Sequence, residues 1–441
     1  MSVEILTAVR SAALGNARDV FVYLPPSYEP AAGPYPVVVA HDGQHLFAAR
    51  GLTPSWRLDE TLDRLIGEGR IPPLVVVAPA NAGTDRGAEY SHILPYPRDP
   101  RTRPRGELYE SFLVGELLPL ARSRYAITDD PGLTAVMGSS MGGLVSYHLA
   151  FRRPDVFGLA AILSPFLAAV DPVTFDETPV HATFAHRGPS RIWLDIGGRE
   201  GLIMVRPVRE LAEALIAIGY APDAELRYRH DPEAIHHEDA WAERVESALL
   251  HLFGAGGASE LLAAPTGAFA VGEVIDAAPL ARRSDGCVYS ALAAEVEGRP
   301  GERFESAGHA LLRARSSGPA TVVASLDGTV VRGEVDVVAA GSEAVLDVTI
   351  LVPEDDGDDP AEAVYFSGLI AERRAPGVYR GVWRLPRGVG LNGTVSRGWR
   401  IDGLDGEGRL VRSPLRVDRD QTVEVRIASW TVPGGDDPHH S

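Results

Sequence analysis

Gly138-Ser139-Ser140-Met141-Gly142 has the form G-x-S-x-G. It lies between an apolar run of strand length, residues 133–138 (LTAVMG), and a helix-like run, residues 143–152, that stops before Pro154. In that setting the glycines permit a turn too tight for side chains, and Ser140 projects its hydroxyl from the end of a sheet on a strained backbone. The next amide, on Met141, opens a helix and can donate to a developing oxyanion. A serine hydroxyl attacks a carbonyl only when a base takes its proton and a carboxylate orients that base. After such a turn the chain order is serine, acid, histidine. Residues 191–197 (RIWLDIG) read as a strand leading into Gly198-Arg199-Glu200-Gly201, and His236-His237 follow just before a last helical segment. Glu200, in a loop, is the expected acid; Asp195, inside the strand run, is its rival. Either His236 or His237 can be the base, but not both, because adjacent side chains point apart.

These residues need a frame. Residues 36–40 (PVVVA), 74–78 (LVVVA), 133–138, 158–163 (GLAAIL) and 191–197 are continuous apolar runs, as strands buried on both faces are. Helical spacing recurs between them at 107–122, 208–218 and 239–253, and residues 20–24 (VFVYL) read as an antiparallel edge strand. Strand–helix alternation predicts an α/β domain over residues 1–255 with a mainly parallel sheet. After the GAGGASE stretch the texture turns to short strands with frequent turns, including a hairpin at Asp327-Gly328. One or two all-β sandwich modules are expected there, over 256–341 and 342–432, with a disordered tail at 433–441.

Composition excludes several chemistries. The 441 residues carry 42 basic against 60 acidic side chains, a net charge of −18 spread over both halves, so no nucleic-acid partner is expected. Every basic residue is Arg, which removes Schiff-base, pyridoxal-phosphate and Walker-loop chemistry. The single Cys287 can form no intramolecular disulfide and belongs to no zinc pattern. The start MSVEILTAVRSAALG lacks a basic segment followed by a long apolar core, and no run approaches a membrane span. The expectation is a soluble, cytoplasmic protein with no membrane partner, metal or cofactor.

With these blocks in place, the chain resembles the esterase family of α/β-hydrolases. That family includes enterochelin-esterase-like proteins, feruloyl and acetyl-xylan esterases, S-formylglutathione hydrolases and mycolyltransferases. The matching pieces span residues 10–254: Tyr23-Leu24-Pro25-Pro26-Ser27-Tyr28, His41-Asp42-Gly43-Gln44-His45-Leu46-Phe47, Arg86 with Glu89-Tyr90, the 138–143 turn, Ser164-Pro165, and His236 to Trp241. The last block is similar to an H-N-E-x-x-W pattern with His237 where Asn is usual, which implies His236 as the base. The resemblance also implies Glu200 as the acid and the amides of Met141 and Gln44 as the oxyanion hole. Arg86, Tyr90 and His41 are candidate substrate contacts, although His41, beside Asp42 at a strand end, reads more simply as a hydrogen-bonded loop residue. Residues 95–105, with four arginines, read as a solvated flap, and the acidic run 354–359 as a connector.

Residues 344–430 resemble starch-binding-like sandwich modules at 364–368, 385–388 and Arg397-Gly398-Trp399, but no aromatic follows Gly368 until Tyr379. Residues 270–340 more faintly resemble an immunoglobulin-like module. The resulting expectation is a serine carboxylic-ester hydrolase acting on a small-molecule or carbohydrate-linked ester through a Ser140–His236–Glu200 triad. The alternatives are acyl transfer to a sugar or other alcohol, and a non-catalytic carbohydrate-binding or adhesion protein.

Overall fold

A computed structural model describes residues 3–47, 55–93, 103–170, 177–201, 204–353, 363–397 and 401–431. Most of the arginine-rich stretch, the acidic run 354–359, Gly398-Trp399 and the 433–441 tail lie outside the described residues.

The strand-length apolar runs form the middle of an 11-stranded sheet. Its strands are β1 (Val3–Ser11), β2 (Asn16–Tyr23), β3 (Val37–Ala40), β4 (Val75–Pro79), β5 (Thr134–Ser139), β6 (Leu159–Leu163), β7 (Arg191–Gly197), β8 (Leu226–Asp231), β9 (Ser259–Ala263), β10 (Leu280–Arg283) and β11 (Val288–Ser290). The order is β1-β2-β4-β3-β5-β6-β7-β8-β11-β10-β9. From β4 to β8 the pairing is parallel throughout. The β1–β2 hairpin adds antiparallel at one side, as residues 20–24 predict, and β11, β10 and β9 add antiparallel at the other.

Side chains alternate faces along a strand, so Val37 and Val39 enter one core and Val38 and Ala40 the other. Helices α2 (Met141–Arg152) and α3 (Val205–Ala217) cover the first face; α1 (Leu58–Gly67) and α4 (Glu238–Phe253) cover the second. The apolar stripe of α1, Leu58, Leu62 and Leu65, is fully buried while Glu60 stays exposed, the pattern an amphipathic helix needs to seal one face. The helical pattern over 107–122 is realised at residues 106–124, with a π-helical stretch at Phe112–Leu117.

The sheet does not end at residue 255. Strands β9, β10 and β11 come from the stretch read as a separate β module, and they bring Cys287 with them. That cysteine is fully buried in the core shared by Trp193, Trp241 and Val245, with its Sγ 3.4 Å from the Ser247 carbonyl oxygen. Short three- to five-residue strands reveal that they pair, but carry no periodicity that says which sheet they join.

Among the described residues, the strands after residue 264 that do not join this sheet form two further β units. One packs a four-stranded sheet (Gly267–Ala270, Thr329–Val338, Gly318–Leu326, Glu295–Arg299) against a three-stranded one around Ile275, Phe304, Leu312, Val322 and Val335. Its Asp327-Gly328 hairpin has φ of 47° and 82° at the two turn positions, the conformation for which Asp-Gly is chosen. The other is an eight-stranded sheet around Leu346, Val348, Ile350, Phe366 and Val395, with a small pair, Val389–Leu391 and Leu415–Val417, packed on its core. No helix among the described residues is long and apolar enough to cross a membrane.

Candidate active site

Four neighbouring parallel strands, β5, β6, β7 and β8, end on the same side of the sheet. The chain leaves them carrying Ser140, Ser164, Glu200 and His236 respectively. Strands spaced about 4.8 Å apart place such loops within side-chain reach of one another. Residues far apart in sequence are thereby gathered at one sheet edge.

Ser140 sits at φ 56° and ψ −122°, a conformation a residue with a side chain adopts only when its surroundings hold it there. Its amide donates to Leu163 O at 3.1 Å, and its carbonyl accepts from Phe166 N at 3.1 Å. The glycines of the motif are required by space. A Cβ on Gly138 would lie 2.6 Å from Gly142 O, and one on Gly142 would press on Asp42 Oδ2 at 3.1 Å. Met141 is the first residue of α2, so its amide has no carbonyl one turn back to bond. Gln44 lies in the one-turn 3₁₀ helix Gly43–His45, where His45 N is bonded to Asp42 O, and its side-chain oxygen accepts from Asn81 N at 3.1 Å.

His236 Nδ1 lies 2.8 Å from Glu200 Oε2. The other oxygen, Glu200 Oε1, accepts from Ser164 Oγ at 2.6 Å, Gly197 N at 2.7 Å and Arg244 at 3.3 Å. Burial by itself would raise the Glu200 carboxyl; the His236, Arg244 and Ser164 contacts outweigh it and hold the group below the usual carboxylate range. The ring of His236 meets Trp241 edge-on, with centroids 4.9 Å apart, and Trp241 Nε1 donates to Ser164 Oγ at 3.0 Å.

Asp195 is fully buried and turned to other partners. It lies 3.3 Å from Arg244, accepts from Ser164 N at 3.2 Å, and accepts from Trp193 Nε1 at 2.8 Å. Burial raises its carboxyl, only partly opposed by Arg244 and Trp193. Arg244 thus serves two carboxylates, all three side chains being fully buried. Ser164 and Arg244 had no assigned role in the sequence. Arg244 lies three residues after Trp241 on α4, and the fold buries it completely.

His237 is the N-cap of α4: its Nδ1 accepts from Asp239 N at 3.2 Å, and its Nε2 lies 3.3 Å from Glu238. The Asn usual at this place in the H-N-E-x-x-W pattern is itself a strong N-cap residue. His237→Ala should therefore cost about 1 kcal/mol of stability, and His237→Asn almost none. Thermal melts of the two variants check this, with turnover expected to stay near wild type in both.

The remaining candidates form a buried network behind the His41–Gln44 loop. Asp42 has left-handed backbone (φ 57°) and is gripped by Arg86 through two bonds, 2.7 and 2.8 Å, and by Asn81 Nδ2 at 2.7 Å. Tyr90 is fully buried, with its hydroxyl 3.3 Å from Asp42 Oδ1 and its ring 5.0 Å from the Arg86 guanidinium. Arg86 and Tyr90, read as substrate contacts, therefore face the loop from within the protein. Glu89 pairs instead with Arg18 at 2.9 Å. His41 Nδ1 is 3.0 Å from Tyr109 Oη, and burial, with a smaller push from Arg86, drives the imidazole down to about 3, against the pull of Asp42. It stays neutral at ordinary pH and serves as a loop anchor.

Burial raises the Asp42 carboxyl, but Arg86 and Asn81 outweigh it and leave the group below its ordinary value of 3.8. A depressed carboxyl contributes stability above its unfolded value and loses it as pH falls through the folded one. Wild type is accordingly expected to lose melting temperature below about pH 4 more steeply than Asp42→Asn, which a pH series of melts reads directly.

None of Ser140, Glu200 and His236 lines the apolar crevice that Ala168, Pro179, His181 and Phe184 form with α3. Among the described residues no group of three or more His, Cys, Asp or Glu side chains is arranged to hold a metal ion.

Comparison with known proteins adds to this geometry. The model of the family described as "Esterase: Putative esterase" matches residues 11–252. The uncharacterized protein YbbA of Bacillus subtilis (strain 168) is 27% identical over 260 residues, covering 54% of this chain and 94% of that protein. An endo-1,4-beta-xylanase/feruloyl esterase of Xylanibacter ruminicola is 26% identical over 165 residues, 35% of this chain and 20% of that one. Among solved structures, the enterobactin esterase FES from Shigella flexneri is similar at 21% identity and a TM-score of 0.42, over 57% of this chain. The chain spans 59% of the length of that protein. Over residues 11–252, more than half of its length, the chain belongs to this esterase family, and through it to the carboxylic ester hydrolases.

Proposed function

We propose that the protein hydrolyses a small-molecule or carbohydrate-linked carboxylic ester through an acyl-enzyme on Ser140. His236 takes the Ser140 proton as Ser140 Oγ attacks the ester carbonyl. Glu200 binds the Nδ1 side of the imidazole, which leaves Nε2 as the basic nitrogen and stabilises the cation once it forms. The amides of Met141 and Gln44 carry the charge on the tetrahedral oxygen. His236 then protonates the departing alcohol, and water repeats the sequence to release the acid.

The observation that carries this reading is the 2.8 Å contact of His236 Nδ1 with Glu200 Oε2, with the strained Ser140 turn two strands away from the Glu200 strand on the same sheet edge. A fluorophosphonate probe tests it. Covalent labelling of wild type, absent in Ser140→Ala, is the expected outcome; equal labelling of both removes Ser140 as nucleophile. We read the catalytic unit as the 11-stranded sheet with its helices, and the two further β units as sandwich modules attached to it.

A further inference from the structure

The C-terminal β unit touches the catalytic unit at one telling place. A Cβ on Gly390 would lie 2.3 Å from the Gly198 carbonyl oxygen and 3.1 Å from the Arg199 Cα. Backbone therefore meets backbone, one to two residues before Glu200. Gly390 is itself held firmly. It sits in the strand pair Val389–Leu391 with Leu415–Val417, whose Leu391 and Val417 are fully buried in the core of the C-terminal unit. On its other side Gly198 is closed in by the catalytic unit: a Cβ there would meet Pro232 O at 2.7 Å and His230 Nε2 at 3.0 Å. The loop that carries Glu200 is clamped between two units, with no room to shift toward either.

We propose that the C-terminal β unit is a positioning element of the active site: Gly390, held in the core-packed strand pair of that unit, fixes the loop that carries Glu200. This rests on the triad reading above. It gives residues 343–431 a role in turnover that does not require them to bind carbohydrate, and it makes the Glu200–His236 contact depend on how that unit is seated. Misplacement by about 1 Å of groups that set a catalytic constellation costs up to about a hundredfold in rate, so a modest displacement is enough to read.

The test uses the full chain. Gly390→Val should lower kcat for p-nitrophenyl acetate by about ten- to a hundredfold, with KM within about twofold. Deuterium exchange of the 197–201 segment should rise in the same variant. Gly390→Ala, which adds a single methyl at the same approach, should show a smaller loss of the same kind. Val382→Asp, on the exposed face of the same unit, should match wild type. The proposal is overturned if kcat is unchanged in both Gly390→Val and Gly390→Ala, if only KM rises, or if Val382→Asp loses as much as they do. Should wild type show no Ser140-dependent turnover, the esterase reading fails on its own, and exchange at 197–201 still decides whether the units are coupled.

Discussion

Replacing Ser140 by alanine is expected to lower kcat for p-nitrophenyl acetate by about four to six orders of magnitude, as loss of a triad serine does. The size of the effect follows from what remains. The Met141 and Gln44 amides would still polarise a bound carbonyl, so a residual rate above that in water is expected. No other hydroxyl stands on this strained turn: Ser139 is the last residue of β5 and belongs to the ladder with Leu163. Steady-state kinetics at matched substrate concentration read the loss, and a melt showing the variant folded separates it from collapse of the turn.

The second large effect distinguishes the two buried acids. Glu200→Gln is expected to reduce kcat about 10³- to 10⁴-fold, because the amide cannot satisfy both sides of its pocket. Ser164 Oγ, Gly197 N and Arg244 converge on Oε1, so the amide oxygen must lie there. The NH₂ group then faces His236 Nδ1, which must accept rather than donate, and the proton moves to Nε2 where the base is needed. Asp195→Asn should act differently. Its oxygens receive Trp193, Ser164 and Arg244, and none of these contacts is with His236. The expected result is a loss of about 1–3 kcal/mol in stability from an imperfectly paired buried group, with kcat within about tenfold of wild type. Measuring kcat and the melt for both variants separates the roles; a larger kcat loss at Asp195 would reverse the assignment.

Much of this arrangement was legible in the sequence because it is local. The G-x-S-x-G turn, the apolar runs that become β3 to β7 and the helices around them depend on neighbours a few residues away. The order Ser140, Glu200, His236 then follows from strand–helix alternation. What was not legible depends on distant packing. Ser164 and Arg244 act because β6 and α4 meet at the end of β7, and nothing near either residue announces that. His236 and His237 are equivalent as neighbouring imidazoles; the resemblance alone implies His236 as the base, and the capping role of His237 shows only in the structure. Strands β9 to β11 look like any short β segments until the β8 edge of the sheet is seen to be open for them. Arg86 and Tyr90 are candidate substrate contacts in the sequence, with a local ion pair as the alternative; the partner of Arg86 proves to be Asp42, 44 residues earlier, which no local pattern announces.

The most direct test of the mechanism is to trap its intermediate. Wild type mixed with p-nitrophenyl acetate, quenched in acid and digested, is expected to carry acetyl on the peptide containing Ser140. A release of p-nitrophenol equivalent to about one per chain should precede the steady state. Acetyl found on another residue, or a burst that persists in Ser140→Ala, would contradict the account.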